Sequence, residues 1–272
     1  MNWIFKIVLS AVILFAVSCE YVDFLGIVSS RSQNVRERFI DKDNLPVILP
    51  PYVADTSNFS FLVIADLHYY DGDEKYFKDI SADDRFDEIS FIVVCGDVAQ
   101  SGLKHQYDYL LEDLKNVNVP VYYVIGNHDL YNNGYAEWRS ILGRTVYDFK
   151  IGDNHFIFTD TANGTIGSDQ KNWIIDTLSA SNSINKFVFS HYSPTDKEFQ
   201  SPTALSYPED AYFLYDVLEK YGVKYYMCGH LHFYDEKEIR GVKYIIVNTA
   251  QNSSNKYLKI SIINNTILKN IY

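Results

Sequence analysis

Cysteine is scarce in this chain, three in 272 residues, too few for the disulfide framework of a small stapled domain. Proline and glycine are also sparse, at 7 and 13. No low-complexity tract or internal repeat breaks the sequence, which excludes a disordered or repetitive chain. Positive charge is short: 24 Lys and Arg face 35 Asp and Glu for a net charge of −11, and basic residues come only as scattered pairs. Non-specific binding of nucleic acid depends on Lys and Arg displacing counterions, so a long DNA or RNA substrate is disfavoured. What is present is the composition of a folded protein, 47% apolar and 16% aromatic, with length enough for a substantial core. The 23 tyrosines lie mostly within strand-like or helix-like runs and read as core-edge residues, ring packed and hydroxyl toward water. Cys95 and Cys228, each closing a β-like run before a Gly, read as small buried hydrophobes.

The N-terminus differs in kind from the rest. A lone Lys6 precedes the apolar stretch Ile7–Val17, too short to span a bilayer comfortably but suited to the core of a signal peptide. The sequence Ala16-Val17-Ser18-Cys19 resembles the lipobox of bacterial lipoproteins, although such boxes usually carry Leu where Ala16 stands. The resemblance implies lipidation of Cys19 and an extracytoplasmic place in the cell envelope, held to the membrane through that Cys. An ordinary secretory signal or an uncleaved anchor is the plainer reading, with the same topology. Residues 20–57 read as a tether, because Pro46, Pro50 and Pro51 forbid a regular helix around them. A domain spanning 58–272 follows.

From Phe59 onward, runs of β-branched and aromatic residues alternate with helical patterns. Strands are expected at Phe59–Ala65, Phe91–Cys95, Val121–Ile125, His155–Asp160, Lys186–Ser190, Val223–Cys228 and Tyr244–Val247. The first three lack polar alternation, as strands buried on both faces do. Tyr107, Leu110, Leu111 and Leu114 fall at helical spacing, as do Leu214, Val217, Leu218 and Tyr221, with Gly222 as C-cap. Trp173, Ile174 and Leu178 mark a third helix, with Ser168 or Asp169 expected as its N-cap. Tyr257–Tyr272 reads as a hairpin turning at Asn264-Asn265. The alternation predicts an α/β fold.

Chemistry-bearing residues cluster where these strands end. Ala65-Asp66-Leu67-His68 follows the first, Cys95-Gly96-Asp97 the second and Gly126-Asn127-His128-Asp129 the third. Ser190-His191 and Gly229-His230-Leu231-His232 close two later strands. In α/β sheets, ligands gather beyond the carboxyl ends of the strands, and five of the seven histidines sit in these places. Alone, an Asp-x-His or a Gly-Asp is a commonplace loop; all five in order at strand ends form a specific pattern. His105 and His155 read as surface and turn residues outside it.

This pattern resembles the calcineurin-like metallophosphoesterase superfamily, whose motifs run Asp-x-His, Gly-Asp, Gly-Asn-His-Asp/Glu, His, Gly-His-x-His. The resemblance covers roughly Phe59 to Asn255. It implies a four-layer α-β-β-α sandwich with a dinuclear metal site at the strand C-terminal ends. By it, Asp66, His68, Asp97 and His232 would hold one metal, and Asn127, His191 and His230 the second, with Asp97 bridging both. Mixed imidazole and oxygen ligands suit Mn, Fe or Zn, and a metal pair can share a hydroxide and clamp a phosphate. His128 would supply a proton or charge at the leaving oxygen, with Asp129 orienting and charging its imidazole.

Departures narrow the branch. Ser/Thr protein phosphatases carry an Arg shortly after Gly-Asp, which Gly96–Gly102 lacks, and purple acid phosphatases place a Tyr where Gln100 stands. Gly96-Asp97 followed by Ser101-Gly102, the Phe158–Thr161 strand end and the Gln170/Trp173 helix start are similar to the compact cyclic-nucleotide phosphodiesterase-like branch. The resemblance therefore implies a small phosphate-ester substrate, mono- or diester. Ser193–Asp210 could line its pocket, with Tyr192 and Tyr207 packing the loop or stacking on a base. The alternatives are a catalytically weak, metal-containing surface binding protein, and a nuclease, against which the net charge counts.

Overall fold

The computed structural model describes residues 34–194 and 205–272. Residues 1–33, which include the signal-like stretch, Cys19 and the start of the tether, lie outside them, as does Pro202. Among the described residues no helix is long and apolar enough to cross a membrane.

Two sheets form the interior. The first contains β1 (Asn58–Ile64), β2 (Ile89–Cys95), β3 (Val121–Val124), β10 (Leu258–Ile263) and β11 (Thr266–Ile271), in the order β11-β10-β1-β2-β3. The second contains β4 (Tyr147–Ile151), β5 (Asn154–Phe158), β6 (Asn185–Phe189), β7 (Tyr225–Cys228), β8 (Asp235–Ile239) and β9 (Val242–Ile246), in the order β4-β5-β6-β7-β9-β8. β1, β2 and β3 run parallel, as do β5, β6, β7 and β9. Antiparallel strands close one edge of the first sheet, β10 and β11, and both edges of the second, β4 and β8.

The missing alternation in the first strands has a direct cause. Phe61 and Val63 of β1 face the second sheet, while Leu62 and Ile64 face helices, and all four are fully buried. The layer between the sheets is built on phenylalanine. Phe61 stacks on Phe91 at 4.9 Å, Phe156 on Phe187 at 5.2 Å and Phe158 on Phe189 at 4.9 Å. Each buried Phe contributes about 1.5–3 kcal/mol relative to exposure. Outside the first sheet lie α2 (Tyr76–Ser81), α3 (Lys104–Asp113) and α4 (Tyr135–Ile141), which seat Phe77, Tyr107, Leu110 and Trp138 against it. Outside the second lie α5 (Ser168–Ser179) and α6 (Pro208–Lys220), through Ile174, Leu178, Leu214 and Leu218. The result is the α-β-β-α sandwich.

Local signals explain the helix ends. α6 opens with Pro208 and two acids, Glu209 and Asp210, and stops before Gly222 at φ +67°, as a left-handed C-terminal glycine does. The N-cap of α5 is Gly167 at φ +75°, not Ser168 or Asp169. The reason is Gln170, whose amide brackets Asp160, accepting from its N–H at 2.8 Å and donating to its carbonyl at 2.7 Å. That grip draws the helix start onto the end of β5. Asn264 and Asn265, at φ +49° and +65°, form the tight turn between β10 and β11.

The part of the presumed tether that is described is packed on the domain. Its helix, α1 (Val35–Asp41), is capped by Asn34, whose Oδ1 accepts from Glu37 N at 3.0 Å. Arg38 is fully buried. Beyond Asn44 the chain is irregular or extended, as its prolines require, and is held at intervals. Arg144 donates to the Leu45 carbonyl at 2.8 Å and Tyr122 to the Leu49 carbonyl at 3.0 Å. Packing against the sandwich thus begins well before Asn58. Hydrophobic periodicity missed it because the anchoring side chain is an arginine.

Candidate metal centre

The loops after β1 and β2 are zipped together by their backbones. Asp66 N donates to the Gly96 carbonyl at 3.1 Å and His68 N to the Asp97 carbonyl at 2.9 Å. Thr249 ties in the end of β9, its hydroxyl donating to the Asp66 carbonyl at 2.8 Å. This close lacing forces unusual torsions. Asp66, His68, Asp97, His230 and His232 all have positive φ, between 49° and 72°, a region that side chains with a β-carbon seldom enter. Such outliers cluster at functional sites, where the surrounding structure overrides their cost. The motif glycines have a steric reason. A β-carbon at Gly96 would lie 2.1 Å from His191 Nδ1, and one at Gly126 2.1 Å from Asp97 Oδ1.

The seven side chains singled out in the sequence converge on one place. Asp66, His68, Asp97 and His232 form one group whose ligand-type atoms lie within 4.8 Å of one another, and Asp97, His191 and His230 form a second. Asn127 joins the second through Oδ1, 2.9 Å from His191 Nε2. Asp97 belongs to both. Its Oδ2 is 3.3 Å from His191 Nε2 and 3.8 Å from His68 Nε2. The Nε2 atoms of His68 and His232 are 3.1 Å apart. Two imidazole nitrogens bound to one ion at ~2.0–2.1 Å in tetrahedral geometry would sit about 3.3 Å apart, so this donor set fits a cation. His191 shows how the ring is aimed. Nδ1–H donates to the Cys95 carbonyl at 2.9 Å, leaving Nε2 to face Asp97 and Asn127, the backbone-carbonyl support common behind metal-binding histidines.

The electrostatics make the same point. Burial pushes Asp66 up to about 6, although His232 and His191 oppose the rise, and burial pushes His68 down to about 3. Burial also holds His230 well below the ordinary histidine value. For His191 burial acts downward, but the charge of Asp97 and its bond to that carboxylate outweigh it and lift the ring to about 9. Burial would raise Asp97, yet His191 and His128 hold it well below the usual carboxylate range. His68 and His230 thus stand neutral, the form a cation selects, while a cation here would take the place of the His191 proton and relieve the mutual repulsion of Asp66 and Asp97.

His128 stands at the rim, half-buried, its ring 4.6 Å from that of His68. Its backbone N–H donates to Asp97 Oδ1 at 2.9 Å, and its Nδ1 meets the Gln100 carbonyl at 2.7 Å. The Gln100 carbonyl therefore orients the imidazole, the role expected of Asp129. Asp129 instead clamps the loops. Its carboxylate accepts from Val98 N, Ala99 N, Gly126 N and the Tyr107 hydroxyl at 2.9–3.3 Å. The chain turns tightly from His128 and kinks at Tyr131 and Asn132, so neighbouring side chains diverge. Of the other histidines, His105 is exposed as expected, whereas His155 is buried within β5 between Ser181 and Asp148, each 2.8 Å away.

Sequence reasoning missed several supports. Thr161 accepts at Oγ1 from His191 N at 3.3 Å and Tyr192 N at 3.0 Å and bonds the Ser190 hydroxyl at 2.8 Å. The Tyr131 hydroxyl lies 3.4 Å from Asn127 Nδ2. Tyr192 stacks on His230 with ring centroids 4.0 Å apart, a contact with the site itself. Tyr207 is 57% exposed.

Comparison with known proteins agrees with this geometry. A family model described as calcineurin-like phosphoesterase matches residues 59–234. Over 126 residues the chain is 28% identical to a protein of Fibrobacter succinogenes named probable cyclic nucleotide phosphodiesterase. That match covers 41% of this chain and 48% of the relative, about half its length. A second protein of that name, from Xenorhabdus bovienii, is 25% identical over 195 residues, covering 62% of this chain and 76% of its own. In fold, the chain is similar to a dimetal phosphatase from Danio rerio, with a TM-score of 0.68 at 15% identity over 78% of this chain and 95% of that one.

Proposed function

The chain belongs to the calcineurin-like phosphoesterase family, and on that premise we propose that it hydrolyses small phosphate esters, diesters before monoesters, with a metal pair held by Asp66, His68, Asp97, Asn127, His191, His230 and His232. The observation that carries this is Asp97, whose carboxylate belongs to both donor groups. The names of the two curated relatives support a diester, cyclic nucleotides among them. Bound there, the ions, Mn, Fe or Zn by donor type, would supply the charge that activates water and neutralises phosphate. The rest falls to the chain. Asn127 offers an amide oxygen without adding charge, and Asp97 balances the cations. His128, its Nδ1 directed to the Gln100 carbonyl, turns Nε2 away from that carbonyl and carries the proton for the leaving oxygen. Residues 1–19 support a place outside the cytoplasm, anchored through Cys19.

The test is to load the chain from Glu20 onward with Mn and compare bis-p-nitrophenyl phosphate with p-nitrophenyl phosphate. Chelator-sensitive turnover favouring the diester, with His128→Ala lowering kcat by about 10²–10⁴-fold, is the expected result. Two bound ions and no turnover of either ester would move the assignment to a metal-containing binding protein.

A further inference from the structure

Arg38 lies outside the stretch that matches the family model, yet it is among the most deeply buried charges of the chain. Its side chain and that of Asp160 are both 0% exposed. The pair is bidentate, with Nε to Oδ2 and Nη2 to Oδ1 both at 2.7 Å, and Nη2 also reaches Asn163 Oδ1 at 2.8 Å. A buried ion pair is weak evidence for stability, because desolvation offsets the attraction. What a planar fork adds is direction.

That direction leads to the metal centre. The Asp160 carboxylate also accepts from Ala162 N at 3.1 Å, and its backbone is gripped by Gln170. The turn carrying the next residue is therefore pinned on both sides. That residue is Thr161, whose hydroxyl receives the backbone N–H groups of His191 and Tyr192 and bonds Ser190. Beyond them, His191 Nε2 faces Asn127 and Asp97, and the Tyr192 ring covers His230.

We infer that Arg38 is a positioning residue for the second metal group, acting through Asp160 and Thr161 on His191 and on the Tyr192–His230 stack. The Asp66, His68 and His232 group takes its backbone support from Gly96, Asp97 and Thr249 and meets this chain of contacts only at its end, through the shared Asp97 and the His230 N–H bonds to Asp66. Loss of the fork therefore weakens the second ion far more than the first. The inference rests on the two-metal reading above.

The test titrates Mn²⁺ into the full chain in mild detergent and follows electron paramagnetic resonance, in which a close Mn pair and a single ion give different spectra. The parent should show the pair signal near two equivalents. Arg38→Lys keeps the charge but not the fork, and Thr161→Val keeps the volume but not the hydroxyl. In each, the first ion should bind nearly as in the parent and the second about 10–100-fold more weakly, the usual cost of losing an outer support of a metal ligand. Should Arg38→Lys fail to fold, Thr161→Val decides. Variants that form the pair signal at the parent's Mn²⁺ concentrations overturn this inference alone. A parent that binds only one ion overturns the two-metal reading, and this inference with it.

Discussion

At Gly96 the chain leaves no room for a methyl group. Its φ is +93°, and a β-carbon there would lie 2.1 Å from His191 Nδ1 and 2.6 Å from its Cγ. Unbonded carbons sit about 3.5–4.0 Å apart, so in Gly96→Ala the imidazole must retreat by roughly 1 Å or more. The ring is fully buried and held by the Cys95 carbonyl, and leaving that partner costs about 1–3 kcal/mol. Backbone strain at positive φ adds roughly 1–2 kcal/mol. The total, about 2–5 kcal/mol, is large against the 5–15 kcal/mol typical of a whole domain, though it leaves the protein folded. Gly222 supplies the control. Its φ is +67° but nothing lies within 4 Å of its missing β-carbon, so Gly222→Ala carries the strain alone. Urea unfolding of the metal-free variants should show Gly96→Ala less stable than Gly222→Ala by about 1–3 kcal/mol, and Mn binding should fall from two ions to one in the first variant only. Equal unfolding free energies with both ions retained would refute the steric account of the motif glycine.

Three further expectations follow from particular contacts. Arg38→Met leaves Asp160 buried and unpaired, which should cost about 3–5 kcal/mol, while Arg38→Met with Asp160→Leu should recover most of it; thermal melts of both variants check this. Asp129 is pushed up to about 7, first by burial and then by the charge of Asp97. A carboxyl raised above its ordinary value near 3.8 holds its proton more tightly when folded. Its contribution is thus present below about pH 4 and lost as the pH rises toward 7. Asp129→Asn should accordingly flatten the fall in metal-free stability over that window, and an unchanged slope in urea titrations would contradict it. Burial raises the thiols of both Cys95 and Cys228 above the ordinary cysteine value. Ellman's reagent should leave both untouched in the native protein and modify them in guanidinium, whereas fast native labelling of either would count against the packing described.

Much of the site could be read from the sequence because each ligand directly follows a strand buried on both faces, and such strands are continuous apolar runs. Phe59–Ala65 and Phe91–Cys95 therefore fixed where Asp66 and Asp97 had to lie. The losses share a physical cause: structure held by polar groups leaves no hydrophobic period. β8, Asp-Glu-Lys-Glu-Ile, is an edge strand of charged residues. α1 buries only Val35 and Arg38, and its partner Asp160 is 122 residues away. Asp129 follows His128 in the chain, yet the turn sends its carboxylate to Val98, Ala99, Gly126 and Tyr107. Adjacency along a chain says little about adjacency in a tight turn. The Thr161 contacts are tertiary, so the Phe158–Thr161 strand end marks the residue without showing what its hydroxyl holds.

The left-handed torsions of Asp66, His68, Asp97, His230 and His232 tie the chemistry to the interior. At about 1–2 kcal/mol for each, five such residues hold on the order of 5–10 kcal/mol, as much as many domains have in total stability. The phenylalanine layer between the sheets is what sustains that load, so loosening the interior should relax the site before the fold gives way. Phe61→Leu or Phe187→Leu, both in the layer between the sheets and not at the rim, would then act as remote controls on ion affinity. In this protein, the aromatic core and the metal centre are two ends of one lever.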